Sequence, residues 1–293
     1  MLMPSDLPPV SGVSIVRNAT ILDYPVEVAL QSILPLVDEL HVNVGLSDDD
    51  TLERVLSLDD PRVQIHQTDW GDSTGRRLRD LGDETNRVLA RCQHDWTLYI
   101  QADEVLHEDD LPAIRNTLLS AVEREDVEGI AFDYQHFYGS PDWVWTGRAS
   151  YRAEVRMVRR STGAQSFSDA QGFRVHGRLP RVLGSGARIF HYGYVKSERA
   201  LSAKLRLGKE WWGEDPDLAT EWEFARPVGL EPFRGTHPAV AIPWIESRNW
   251  PFDPARARPE TLTLRTAKIR VSNMIERLTG RRPIEHRTFQ RVD

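Results

Sequence analysis

Residues 94–110, HDWTLYIQADEVLHEDD, run apolar and aromatic side chains directly into two adjacent carboxylates, Asp103 and Glu104. A carboxylate at the exit of a buried strand is held rigidly while its oxygens face a cleft. Mg2+ and Mn2+ take such oxygen ligands, particularly when substrate phosphates complete the shell. The plainer reading is that these acids open a solvated loop or cap the helix that follows. Further along, HYGYVKSERALSAK sets His191 at the end of an expected strand, with Lys196 shortly after it. A neutral imidazole ligates a transition metal and an ammonium offsets phosphate charge; the alternatives are a satisfied strand-end histidine and a helix-start or surface lysine. Arginines gather at 76, 77 and 79 and again at 156, 159 and 160. They read either as solvated surface or as contacts for anionic substrate groups.

Strands and helices must place these residues. Strands are expected at Val13–Arg17, Leu40–Val44, Val63–His66 and His94–Gln101. Between them, Val26, Leu30, Ile33, Leu34 and Val37 repeat at helical spacing, Ser47, Asp48 and Asp49 precede a short helix, and a further helix is expected towards Thr85–Ala90. A helix from Asp109 or Asp110 to Val122 follows. The alternation predicts a mainly parallel sheet covered on both faces, and ligands of such sheets lie outside the carboxyl ends of the strands. Asp103 is therefore more informative by its place than by its type. In the second half, Gly129–Tyr138, Ala153–Arg159, RVHGRLPRV and ARIFHYGYV read as mixed or antiparallel strands. Leu201, Leu205, Gly208 and Trp212 mark one side of a helix, and a last amphipathic helix carries Ala267, Val271, Met274, Ile275 and Leu278. The reading is of one elaborated domain over 10–215, with a nucleotide-binding half (10–107) and an acceptor-side half (108–215). Residues 216–293 form a C-terminal helical extension packed on it.

At 293 residues the chain buries a large core without staples. Its single cysteine, Cys92, rules out an intramolecular disulfide, in keeping with a reducing compartment. With no signal-peptide pattern and no long apolar run, a cytoplasmic protein is expected, peripheral membrane contact remaining open. A net charge of −7 argues against nucleic acid as a partner. Exposed aromatics or the final basic helix offer a surface for a homodimer.

The ordered set Arg17-Asn18-Ala19 after the first strand, an acid after the second, Gln101-Ala102-Asp103-Glu104 after the fourth and the later HYGYVK resembles the family 2 type nucleotide-sugar glycosyltransferases of the GT-A fold. The resemblance spans about Gly12–Gly208. It implies a GT-A-like, Rossmann-type α/β fold with a mixed sheet flanked by helices. It also implies metal-assisted, inverting transfer of a glycosyl group from a nucleoside diphosphate sugar to a carbohydrate or other hydroxyl acceptor, with Mn2+ or Mg2+. That family's Asp-x-Asp element reads Gln101-Ala102-Asp103 here, so the first acid is missing and Asp103 matches the last. By the same resemblance Val16, Arg17 and Asn18 approach the base or ribose, and Asp48 accepts a hydrogen bond from it. WGDSTGRR forms a loop beneath the base through Asp72, with Arg76 or Arg79 towards phosphate, and His191 completes a metal site with Asp103 and Glu104. Lys196 faces the diphosphate.

Such a transfer needs a carboxylate to take the acceptor proton as its oxygen attacks the anomeric carbon. Asp169, between expected strands, leads for that role and Glu154 follows. Trp143, Trp145, Tyr134, His136 and Tyr138 suit an aromatic floor for a sugar, or ordinary core packing. Two other readings stand beside this one. A sugar-phosphate nucleotidyltransferase would carry a Gly-rich phosphate loop after the first strand, which VRNATILDYP does not supply. A non-catalytic carbohydrate-binding or assembly protein on the same scaffold accommodates the missing acid. A dehydrogenase lacks its GxGxxG turn.

Overall fold

The computed structural model describes residues 7–70, 79–147, 150–211, 214–218, 221–249, 252–261, 263–279 and 287–292. Four short apolar runs, β1 (Val10–Val16), β2 (Glu39–Gly45), β3 (Val63–Thr68) and β4 (Trp96–Tyr99), pair in parallel in the order β3-β2-β1-β4. Every residue of β1, β2 and β4 is buried, whereas β3 is only partly so. Central parallel strands covered on both faces have this character, and β3 is the edge. Helix α1 (Val26–Ile33) presses Val26, Leu30 and Ile33 onto one face, beside α2 (Thr51–Leu56). Helix α3 (Arg79–Leu89), starting earlier than its apolar pattern suggested, sets Val88 and Leu89 on the other.

Beyond β4 the sheet turns mixed. After β5 (Glu104–Leu106) and α4 (Leu111–Val122), the strands β6 (Gly129–Tyr138), β7 (Ser140–Trp145) and β8 (Ala153–Arg159) join with β8 antiparallel to both β4 and β6. A small hairpin, β9 (Ala164–Phe167) with β10 (Gly172–Val175), leads to β11 (Arg181–Tyr194). This long strand runs parallel to β6 and antiparallel to β5. Helix α5 (Glu198–Trp211) follows directly. The outcome is an α/β protein with a large mixed sheet, parallel in its first half and flanked by helices, as expected. The C-terminal segment holds more than helices. Beside β12 (Ala225–Arg226), α6 (Ile242–Glu246), β14 (Arg258–Pro259) and α7 (Leu264–Thr279), it returns β13 (Leu230–Pro232) to pair with β7 and β15 (Gln290–Arg291) to pair with β11. Among the described residues no helix is long and apolar enough to cross a membrane.

The arginine cluster at the end of β8 is not solvated surface. Arg156 is fully buried and meets Glu104 in a two-pronged ion pair, Nε to Oε2 at 2.8 Å and Nη2 to Oε1 at 2.6 Å. The Tyr134 hydroxyl donates to the same Oε1 at 2.6 Å, and the Gln101 amide donates to Oε2 at 3.1 Å. Arg159 lies over the Trp96 ring and donates to Ala121 O at 2.7 Å, closing the last turn of α4. Arg160 donates to His94 O at 3.0 Å. A buried ion pair contributes little net stability when whole, but losing one partner strands the other charge in the interior. Arg156→Met is therefore expected to lower the unfolding free energy by about 3–5 kcal/mol, read from urea denaturation at pH 7. A loss under about 1 kcal/mol would show that Glu104 finds other partners.

Candidate functional site

At the carboxyl end of β4 the chain makes a turn closed by the Glu104 amide donating to Gln101 O at 3.1 Å. Successive side chains then diverge. Glu104 points inward to Arg156, and Asp103 points into a cleft of ≈ 470 Å³. That cleft is bounded by the end of β1 (Val16, Arg17), the turn (Gln101, Ala102, Asp103), and one face of α5 (Lys204, Leu207, Gly208). Asp169 and the aromatic side chains of Trp70, Trp145, Tyr151 and Tyr194 also reach it.

His191 arrives from β11, directly opposite Glu104 in the β5–β11 pairing. The Tyr192 amide donates to Asp103 O at 2.8 Å, fixing the turn to that strand. His191 Nε2 then stands 3.7 Å from Asp103 Oδ1, and Lys204 Nζ stands 3.7 Å from Oδ2. Burial opposes charge on Asp103, but the His191 ring, Lys204 and Lys196 outweigh it and hold the carboxyl at about 2. Burial pushes His191 down to about 4, Asp103 opposing and Lys204 and Lys196 assisting. The ring is neutral at pH 7.

Which nitrogen carries its proton follows from its neighbour. His136 Nε2 lies 2.8 Å from the Tyr151 carbonyl, which only accepts, so Nε2 carries the proton. Burial, with His191 adding to it, pushes His136 down to about 3, so its Nδ1 keeps a lone pair. His191 Nδ1, 2.8 Å away, must then donate to it. That leaves His191 Nε2 with a lone pair 3.7 Å from the Asp103 carboxylate. Two acceptors face each other with no proton between them, an arrangement a cation or a donor completes.

Gly193 leaves the space beside this pair free of a side chain. A Cβ built there would lie 2.5 Å from His191 Nε2 and 3.3 Å from Asp103 Oδ2. One carboxylate oxygen and one imidazole nitrogen are a fitting partial donor set for Mn2+ or Mg2+ when diphosphate and water supply the remaining ligands. No group of three or more His, Cys, Asp or Glu side chains is placed to bind a metal among the described residues. Among the described residues of the cleft, Asp103 and His191 are the two that would hold such an ion, and Glu104, whose oxygens are engaged by Arg156, Tyr134 and Gln101, would not be a third.

The remaining expected residues separate into groups. Val16, Arg17, Ala102 and Asp169 line the cleft with Asp103 and His191. Asn18 does not. With φ at 54°, it accepts from the Asp48 amide at 2.9 Å through Oδ1, and its own amide donates to Ser47 at 3.1 Å, so it ties the ends of β1 and β2 together. Asp48 is exposed on that loop and does not line the cleft. Lys196 is buried away from it, Nζ donating to Leu22 O at 2.9 Å and Asp23 O at 3.2 Å above the Tyr24 ring. Glu154 is buried, receiving hydrogen bonds from Thr288 and, at 2.8 Å, from Gln171. Asp72 and Arg76 lie outside the described residues, as does the side chain of Arg79 at the start of α3.

Of the proposed aromatic floor, Trp145 and His136 line the cleft; Tyr134 supports Glu104 and Tyr138 packs beneath Trp145. Lys204, Tyr151 and Tyr194 were missed. Lys204, Leu207 and Gly208 recur at helical spacing, a signal for the cleft-facing side of α5, whereas Leu205, grouped with Gly208 on one side of that helix, is 37% exposed and does not line the cleft.

No family model and no curated protein matches the chain. Among solved structures it is similar to glucosyl-3-phosphoglycerate synthase from Mycobacterium tuberculosis. The form with Mn2+, UDP-glucose and phosphoglyceric acid is 22% identical over 45% of this chain and 44% of that one, at a TM-score of 0.31. The form with Mg2+ and UDP has the same identity, coverage and score. The structure without a named ligand is 24% identical, covers 45% of each chain and scores 0.32. The chain spans less than half the length of these proteins.

Two buried neutral histidines make stability pH-dependent in a stated direction. Their folded values, about 4 for His191 and about 3 for His136, lie below the ordinary 6.5, so the unfolded chain takes up protons first. Their contribution is whole above pH 6.5 and is lost as pH falls through 4. The urea midpoint is expected to drop from pH 6.5 to pH 4.5 and to drop less in the double variant His136→Gln/His191→Gln. His237, which burial also pushes down to about 4, retains part of the slope. An unchanged midpoint over that interval in the wild type would contradict neutral burial.

Proposed function

We propose that the chain transfers a glycosyl group from a nucleoside diphosphate sugar to a hydroxyl acceptor, with inversion and with metal assistance. The observation that carries this reading is the opposed pair Asp103 and His191 Nε2 at 3.7 Å, in a cleft at the carboxyl end of a central parallel strand. A polar ligand that arrives with its own cation and its own anionic oxygens suits that pair; a diphosphate does so. Mn2+ or Mg2+, held by Asp103 and His191, would supply Lewis-acid neutralisation of charge on the departing diphosphate.

Lys204 adds a second positive charge on the same side, its Nζ at 3.7 Å from Asp103 Oδ2 and its side chain 44% exposed, so it can swing to a phosphate oxygen. Val16 and Arg17, at the end of β1, form the end of the cleft suited to base and ribose. Trp145, Tyr151 and Tyr194 present ring faces on which a pyranose packs its apolar side, leaving hydroxyls for polar partners. Asp169 lines the same cleft and is exposed to solvent, so it can accept the acceptor's proton as that oxygen attacks the anomeric carbon and the bond to the diphosphate breaks. Glu154, buried and hydrogen-bonded, suits an anchor for the C-terminal segment rather than a base.

Isothermal titration with a panel of nucleoside diphosphates and their sugars, with and without Mn2+, tests this reading. At least one diphosphate is expected to bind tenfold or more tightly with Mn2+ present. Asp103→Asn and Gly193→Ala should each remove that gain, the latter by pushing His191 aside. Absence of any diphosphate binding with Mn2+, or an undiminished gain in Asp103→Asn, would remove the proposed centre. Asp169→Asn should bind donor normally and lose transfer about 100-fold or more.

A further inference from the structure

Helix α7 is turned the wrong way for a helix packed in water. Its inner side is mostly polar around a half-buried Ile269: Thr266 is buried and donates to Thr261 O at 3.0 Å, Asn273 lies against Gly229, and Glu276 pairs with Arg152 on the segment leading into β8. Its outer side is apolar. Leu264 is 85% exposed, Val271 54%, Met274 56% and Leu278 79%. At about 100° per residue these four and Ile275 fall within a sector of roughly 100°, a continuous stripe along the helix rather than scattered side chains. Burial of apolar surface normally orients an amphipathic helix the other way round.

Charge says what covers the stripe. Residues 264–279 hold Arg265, Lys268, Arg270 and Arg277 against the single acid Glu276, in a chain whose net charge is −7. Exposed Lys268 and Arg270 leave the helix on opposite flanks of the stripe. A second copy of the chain would bring the same positive charges against themselves across a two-fold contact. An anionic bilayer accepts both features: the apolar stripe sinks into the acyl boundary while basic flanks reach the headgroups.

We infer that α7 is a membrane-surface helix that docks the protein on anionic lipid. Because Glu276 is tied to Arg152, beside the cleft-lining Tyr151, docking sets the lip of the cleft close to the bilayer. The inference is independent of the reaction proposed above.

Sedimentation of the full chain with vesicles of phosphatidylcholine and phosphatidylglycerol at 3:1, against pure phosphatidylcholine, tests it. Binding is expected to the anionic vesicles only and to weaken severalfold as salt rises. Val271→Glu/Met274→Glu/Leu278→Glu and Lys268→Glu/Arg270→Glu, all at exposed positions, should each reduce binding at least tenfold with thermal unfolding unchanged. The inference fails if the wild type stays in the supernatant, or if the apolar variant sediments like the wild type. It fails equally if the wild type is a dimer that the apolar variant dissolves while neither binds vesicles, for then a second copy covers the stripe.

Discussion

The buried pair of Glu104 and Arg156 is the constraint on which the site depends. Two adjacent carboxylates at a strand exit repel each other and compete for the same solvent. Here one is drawn inward by a guanidinium that it meets through both oxygens, with Tyr134 and the Gln101 amide satisfying the rest. Such satisfaction is what allows an ion pair to sit in an interior, where an unpaired charge costs several kcal/mol. Its consequence is directional. With Glu104 fixed to β8 and β11, the preceding residue projects into the cleft, and Asp103 has no freedom to fold back.

A second constraint runs through hydrogen-bond polarity. The Tyr151 carbonyl can only accept, so the proton positions on His136 and then on His191 follow in sequence, ending with an unprotonated Nε2 at 3.7 Å from Asp103. The cleft therefore holds an imidazole nitrogen 3.7 Å from a carboxylate whose other oxygen lies 3.7 Å from the Lys204 ammonium. A cation bound there, as proposed, would replace Lys204 beside Asp103, and the missing side chain of Gly193 leaves the space next to His191 Nε2 unfilled.

Much of the scaffold was legible because parallel strands announce themselves as short apolar runs separated by helical spacing. Trp96–Tyr99 leading into an acidic turn placed Asp103 correctly at a strand exit. What could not be read was partnership. Arg156 and Glu104 lie 52 residues apart, and nothing in either local pattern says that the arginine turns inward. The same holds for Lys196, whose neighbours gave no hint of the Leu22 and Asp23 carbonyls that claim its ammonium. Asp169 led Glu154 as candidate base on sequence alone; burial, a property of the folded chain, separates them further. The exposed stripe of α7 was visible as amphipathicity, but its outward orientation was not.

The central claim is a specific protonation pattern, and long-range 1H–15N correlation of the histidine rings measures it directly. At pH 7 the account predicts a neutral His191 protonated on Nδ1, with Nε2 bare and shifting when Mg2+ and a nucleoside diphosphate are added together. A His191 protonated on Nε2, or on both nitrogens, would mean that it already satisfies Asp103, and the proposed cation site would not exist.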